Sequence, residues 1–456
     1  MTEKNQEKKH GSGFRLVIPF FVVLALLTVV SFCIPLRPTQ SQMEKRNLAQ
    51  FPELTVEALV SGTYFDDITT WFSDTFPGRE SWLNLSATID TFHGYSEITI
   101  QGDLPQVETV PPITEKPEQQ EQTENDPSDA MSEETEEVST EPAETEWGGV
   151  DVNEDLDVEL GESAVIQIGE SAFNAVGFSQ KYSDVYAQTI TDFAAKVKDQ
   201  GIRVVSAPCP TAVGILIEPE YLEMMNCADQ NEMIRYLHGQ MSDDIIKVDT
   251  YAALVPHNSE YIYFRTDHHW TARGAYYSYA AICEALGYEA AALEDFEEWD
   301  QGEFEGSLYW KAANFRKLKL DTLIAYVPPG DIEMTIYNNN GHGRAGELIQ
   351  DMTNRERNAK YSAFICSDNP LTEITNHSIP DGPSCILIKD SFGNCLAPFL
   401  TQNYHKVYVL DYRKYNQGGL SWLLEQYEDV EDVIFAPYVI ATQAVDGNQM
   451  IYNRCQ

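Results

Sequence analysis

From Ser163 to the C-terminus, short apolar runs alternate with stretches whose apolar positions recur every three or four residues. The runs IRVVSAP (202–208), DIIKVD (244–249), SCILIKD (384–390), KVYVLD (406–411) and VEDVIFAPY (430–438) are short and rich in Val and Ile. Continuous apolar character of that kind marks strands buried on both faces. Between them, YSDVYAQTITDFAAKVKDQG (182–201), NEMIRYLHGQM (231–241), GAYYSYAAICEALG (274–287), NCLAPFLTQN (394–403) and GGLSWLLEQY (418–427) read as helices. Gly201 and Gly287 sit where helices stop, and Thr271 sits where one starts, as an N-cap. Strands alternating with helices predict an α/β domain over 163–456, a mostly parallel sheet with helices on both faces. Residues Glu298 to Gly346 break the alternation and read as loops or an extra hairpin.

The N-terminal third is patterned differently. Residues 14–36, FRLVIPFFVVLALLTVVSFCIPL, hold roughly twenty nearly uninterrupted apolar positions, enough for one transmembrane helix. Lys4, Lys8, Lys9 and Arg15 lie at or before its start, so residues 1–13 are expected to be a cytoplasmic tail. The run exceeds the apolar core of a cleaved signal peptide, and no small-x-small site follows it. A single-pass anchor in the cell membrane with an extracellular main domain is therefore expected. Residues 37–102 have helical spacing, with Ile68, Trp71, Phe72, Leu83, Leu85 and Ile89 on inner faces and a break at Phe76-Pro77-Gly78. They read as a helical segment joining the anchor to the main domain.

Composition changes this picture in three ways. Hydrophobic residues make up 43% of the 456, so most of the chain can bury a core. The formal net charge of −42 is uneven, since residues 103–162 hold about 21 acids against one Lys. That stretch is expected to be a disordered acidic insert, too polar to offset its ordering entropy. The rest lacks clustered Lys and Arg, which excludes nucleic acid as a partner. Eight Cys include Cys33 in the apolar span, and the other seven form no CxxC pair. This is neither a zinc pattern nor a small disulfide framework, and it leaves one or two disulfides open.

The candidate chemistry lies in two stretches. Ser391 follows the buried run Cys385-Ile386-Leu387-Ile388 and opens the next helix. Ligands of open α/β sheets bind at the carboxyl ends of strands, where backbone N–H groups and a helix dipole suit a developing oxyanion. Asn394 is a further side-chain donor there. The plain alternative is a Ser that caps a helix. A nucleophilic hydroxyl needs a base and an orienter, and YFRTDHHWTARGA (263–275) offers both. Asp267 and His269, two apart on an extended segment, point to one side, with His268 pointing away and Trp270 walling the site against water. Here too a strand end capping a helix is the plain alternative. A metal reading of Asp267, His268 and His269 lacks a further ligand at helical spacing, so neither metal nor cofactor is expected.

The segments TDHHW, KDSFGN and APFL resemble the bacterial DHHW proteins, which are similar to periplasmic alginate O-acetylation proteins with an SGNH-hydrolase-like fold. EKRNLAQFPEL, WFSDTFPGRESW, KYSAFICSDNPL and VYVLDYRKY extend the resemblance over most of Glu44 to the C-terminus. It implies Asp267, His269 and Trp270 as the Asp-x-His-Trp group and Ser391 as the nucleophile. Lys389 stands where the nucleophile block usually has Gly, and Thr211 where relatives often carry Lys. The resemblance also implies Asn369 and Gly306 as oxyanion-hole residues. The function implied is a membrane-anchored serine O-acetyltransferase or acetylesterase acting on an extracellular polysaccharide, beside a membrane-bound O-acyltransferase partner. The alternative from another class is a non-catalytic glycan- or partner-binding surface protein.

Overall fold

The computed structural model describes residues 37, 40–41, 46–52, 54–55, 63–76, 107–111, 148–149, 159–160, 164–312 and 314–456. The expected span at 14–36 lies outside them, and no described helix is long and apolar enough to cross a membrane. The chain forms two compact units, 1–97 and 98–456. In the first, Gln40–Ser41 pairs antiparallel with Arg46–Asn47. The helix Thr63–Asp74 ends before Phe76-Pro77, as a proline requires. The Asp74 carboxylate accepts the Ala49 N–H at 2.9 Å.

In the second unit, eight strands form one sheet. Its parallel part runs Lys406–Asp411, Ser384–Lys389, Val430–Ala436, Arg203–Ser206 and Ile245–Lys247 in spatial order. Three antiparallel strands, Leu371–Asn376, Ile332–Tyr337 and Gly343–Gly346, extend it beyond Lys406–Asp411. The sheet is thus mixed, where the strand–helix alternation implied a mostly parallel one. LTEITN alternates, burying Leu371, Thr372, Ile374 and Asn376, so it lacks the continuous apolar signature of the central strands. A second antiparallel hairpin, Glu297–Phe304 with Asp321–Val327, fills the region expected to hold loops or an extra hairpin.

Alternate residues of the central strands feed two cores. Val205, Leu387, Val409 and Ile434 pack with Tyr279 and Ile282 of the helix Ala272–Leu286 and with Leu396 and Phe399 of the helix Gly393–Leu400. Val204, Ile386, Leu410 and Val433 pack on the other side with Ile190 and Phe193 of Gln180–Val197 and Leu423 of Leu420–Gln426. Helices therefore cover both faces. Gly201 and Gly287 terminate their helices with φ of 75° and 76°, conformations that cost glycine no Cβ clash, and the Thr271 side chain caps Ala272–Leu286.

The described residues at either end of the acidic stretch make defined contacts with the main domain. Val107 bridges Phe178, the Glu108 carboxylate accepts the Gln180 N–H at 2.9 Å, and Glu159–Leu160 pairs with Val165–Ile168. All seven described cysteines are free thiols.

Candidate active site

The five parallel strands carry their C-terminal ends to one rim, and Ser384–Lys389 delivers Ser391 there. The turn after this strand is built by Asp390. Its buried carboxylate accepts the Phe392 N–H at 3.0 Å, the Tyr412 hydroxyl at 2.9 Å and the Tyr438 N–H at 2.8 Å. Burial raises the Asp390 pKa, against the pull of Arg413 and these donors. Gly393 is required next, because a Cβ would lie 2.4 Å from Lys389 Cβ. Ser391 does not cap the helix that follows; Phe392 occupies that position without a side-chain bond.

The Ser391 hydroxyl instead meets His269 Nε2 at 2.7 Å, across 122 positions of sequence. His269 Nδ1 lies 2.5 Å from Asp267 Oδ1, which also accepts the His269 N–H at 3.0 Å. A carboxylate only accepts, so Nδ1 carries the proton and Nε2 is left free to receive that of serine. The other Asp267 oxygen accepts the Ser307 N–H at 2.7 Å. Burial alone would raise the Asp267 pKa. Electrostatic interaction with the neighbouring His269 and His268 rings, together with these donors, holds it well below the ordinary carboxylate range.

The segment bearing Asp267 and His269 is a tight loop and not the extended strand expected. Tyr263 bridges Trp270, and the Phe264 N–H reaches the His269 carbonyl. Asp321 pins its near side, accepting Tyr261 Oη, the Arg265 N–H, the Thr266 N–H and Thr266 Oγ1 at 2.5 to 2.8 Å. Inside this turn His268 does not point away. Its ring lies 3.8 Å from that of His269, centroid to centroid, and its Nδ1 is 2.7 Å from Ser307 Oγ.

Four further expectations change once donors are counted. Trp270 is fully buried and donates Nε1–H to the Phe392 carbonyl at 3.0 Å, bracing the turn from behind rather than walling the cavity. The Asn394 amide donates to Asp368 at 2.9 Å and its oxygen accepts Lys389 Nζ at 2.6 Å, so it is tied into the network beneath the serine turn. Asn369 Nδ2 closes a loop through the carbonyls of Ile365, Cys366 and Ser367, three residues that all have positive φ. The Gly306 N–H is taken by Thr266 Oγ1 at 2.9 Å. Gly306 is instead a close-packing position, since a Cβ would lie 2.3 Å from Asp267 Cβ.

Beneath the turn lies a charged network. Lys389 is fully buried, with Nζ 3.1 Å from Asp411 and 3.5 Å from Asp368, and Arg413 bridges the same two carboxylates at 2.6 and 2.8 Å. Burial would raise Asp368, but Lys389 and Arg413 lower it to about 2. Tyr361 links base and nucleophile. Its ring stacks on His269 at 4.0 Å and 10°, and its hydroxyl donates to the Ser391 carbonyl at 2.9 Å. A cavity of about 240 Å³ opens beside Ser391, lined by His268, Phe392, Tyr412, Arg413, Tyr438 and Asp446 among others.

Sequence reasoning missed Asp321, Ser307 and Tyr361 as individual residues. Tyr361 lies within a segment singled out only through resemblance, and Asp321 carries no local signal. The donor atoms of Asp267, His268 and His269 lie within 4.8 Å of one another, as a metal set would. Both carboxylate oxygens of Asp267 and both nitrogens of His269 are already engaged, which leaves His268 Nε2 as the open position.

A family model described as DHHW protein matches residues 44–410. The chain is similar to a DHHW family protein from Eubacterium siraeum, with 25% identity and a TM-score of 0.56 over 63% of this chain and 94% of that one. It is also similar to PatB1 of Bacillus cereus, with 18% identity and a TM-score of 0.51 over 63% of this chain and 98% of that one. PatB1 with a sulfonyl adduct gives 17% identity and a TM-score of 0.53, covering 64% and 99%. No curated protein matches the sequence.

Proposed function

The chain belongs to the DHHW protein family, and from that premise we propose that it is a serine O-acetyltransferase or acetylesterase acting on a cell-surface or exopolysaccharide glycan. The observation that carries this reading is the unbroken relay from Asp267 through His269 to Ser391 at 2.5 and 2.7 Å. A hydroxyl so placed can lose its proton to Nε2 as its oxygen attacks an ester carbonyl. The imidazolium that forms faces a carboxylate held ionised by its donors. As the tetrahedral intermediate collapses, His269 returns the proton to the departing alkoxide and leaves acetyl-Ser391. A glycan hydroxyl then gives its proton to His269, bonds to the acetyl carbon and releases Ser391, whereas water in the same place gives hydrolysis. The helix Gly393–Leu400, starting beside Ser391, directs its positive end toward the developing charge.

Resemblance to the alginate O-acetylation proteins supplies the acyl class and the polysaccharide acceptor. It also supplies the expected membrane-bound O-acyltransferase partner. The apolar span 14–36 and the basic residues before it support anchoring, with the main domain outside the cytoplasm.

The test is covalent. Incubation of the full-length protein with a sulfonyl fluoride or fluorophosphonate should add one label, found on Ser391 by peptide mass spectrometry. Ser391→Ala should take none, and His269→Ala should react at least about 10²-fold more slowly. Equal labelling of wild type and Ser391→Ala, with no turnover of a chromogenic acetyl ester above background, would favour the non-catalytic binder.

A further inference from the structure

His268 takes no part in the relay, yet it is not packed away. Its side chain is 28% exposed and lines the same cavity as Ser391. Nδ1 lies 2.7 Å from Ser307 Oγ and 3.7 Å from Asp267 Oδ1. A carboxylate on that side of the ring favours the proton on Nδ1, which donates it to the serine oxygen. Nε2 then keeps its lone pair, and among the described residues none donates to it. Two imidazoles thus stand side by side at 3.8 Å: His268 lines the cavity itself, and His269 Nε2 lies 2.7 Å from the Ser391 hydroxyl that lines it.

We infer that this histidine pair recognises a vicinal diol, so that the acceptor is a sugar with two adjacent free hydroxyls. One hydroxyl donates to His269 and is acetylated, while its neighbour donates to His268 Nε2 and fixes the angle of attack. This rests on the acyl-enzyme reading above and adds the acceptor class. A single hydroxyl has only one proton, so it cannot satisfy both nitrogens, whereas adjacent hydroxyls can. Water, with two O–H groups, fits the same pair.

The two rings divide the work. Desolvation of the ring within the site lowers the His268 pKa to about 3, with the neighbouring His269, Lys311 and Arg413 adding and Asp267 opposing. His268 is therefore neutral at ordinary pH and too weak a base to take the proton. In the transfer step the O–H bond of the reacting hydroxyl breaks and its proton passes to His269. The new ester bond forms as the bond from the acetyl carbon to Ser391 Oγ breaks, and His269 returns the proton to that oxygen. Nothing is oxidised or reduced.

The experiment starts from acetyl-enzyme formed on the full-length protein with p-nitrophenyl acetate, seen as a burst of phenolate. Acceptors are trans-cyclohexane-1,2-diol, cis-cyclohexane-1,2-diol and cyclohexanol, and the readout is the ratio of transfer to diol over monool, in which acylation rates cancel. Wild type should prefer one of the diols by about 10-fold or more, the worth of one hydrogen bond to substrate. His268→Phe should lose the preference, and His268→Gln, which keeps an acceptor, should retain part of it. A burst followed by equal transfer to diol and monool overturns this inference alone. Absence of any burst in wild type overturns the acyl-enzyme reading and takes this inference with it. Nitrogen-15 NMR of the histidines gives a check that needs no variant. His268 should be protonated on Nδ1, and an Nε2–H tautomer would overturn the assignment.

Discussion

At the residue scale, the site depends on side chains that hold other side chains. Tyr361 shows this most directly, since its ring and hydroxyl address the base and the nucleophile separately. Tyr361→Phe keeps the stack and loses the bond to the Ser391 carbonyl, which should slow burst acylation about 5-fold, the worth of an ordinary hydrogen bond. Tyr361→Leu loses both contacts and should cost about 10²-fold, the scale of a small misplacement of reacting groups. Burst rates of the two variants, read beside their melting temperatures, separate positioning from stability. A Leu variant with the wild-type rate would show that the stack does nothing for catalysis. The candidates at Asn369 and Asn394 teach the converse lesson. An amide near a site is a donor only if its N–H groups are unspent: Asn369 closes its own loop, and Asn394 is tied to Asp368 and Lys389.

At the scale of elements, two loops meet because each is internally tied. Asp390 shapes the serine turn, while Asp321 and the backbone around Gly306 shape the histidine turn. Gly306→Ala tests the second. Its Cβ would overlap the Thr266 carbonyl and Asp267 Cβ at 2.3 Å, so the hairpin must move away from the loop and weaken the Ser307 N–H bond to Asp267. Overpacking of this kind costs about 1–3 kcal/mol. A melting temperature several degrees lower is expected, together with slower burst acylation. Unchanged melting and rate would mean the approach is looser than these distances imply. The sheet carries a further lesson. Its buried parallel strands could be read from apolar runs, whereas the antiparallel extension could not, because LTEITN pairs with Lys406–Asp411 on one edge and Ile332–Tyr337 on the other.

At the scale of the whole molecule, buried titratable groups set the acid limit. His238 lies against Ser206 in the interior, and burial lowers its pKa to about 4, with Lys247 adding and Asp249 opposing. In the unfolded chain a histidine titrates near ~6.5. Between these values the unfolded state binds one more proton, so stability falls as pH drops, by up to about 1.4 kcal/mol per pH unit. His268 acts in the same direction down to about 3, and Asp368 joins below ~4, since its folded pKa is lowered to about 2. Asp321 and Asp390, both raised, act in the opposite direction. Chemical denaturation at pH 7, 6, 5 and 4 should show stability declining from about 6.5 downward, and His238→Gln should flatten that slope. A flat profile over this range in wild type would refute the assignment.

The local pattern by itself determined the α/β class, the helix stops at Gly201 and Gly287 and the cap at Thr271, and it marked Asp267, His269 and Ser391 as candidates that the DHHW resemblance then singled out. Each rests on near neighbours in the chain, such as a period, a turn residue or a nucleophile after a buried strand. Only the tertiary structure decided that His269 touches Ser391, that His268 turns toward the cavity, and that the Gly306 N–H and the Asn369 amide are spent on neighbours. Those facts depend on which distant groups fold against one another. A hydrogen bond over 122 positions leaves no periodic trace, and a side chain's free donors are known only when all its neighbours are in place.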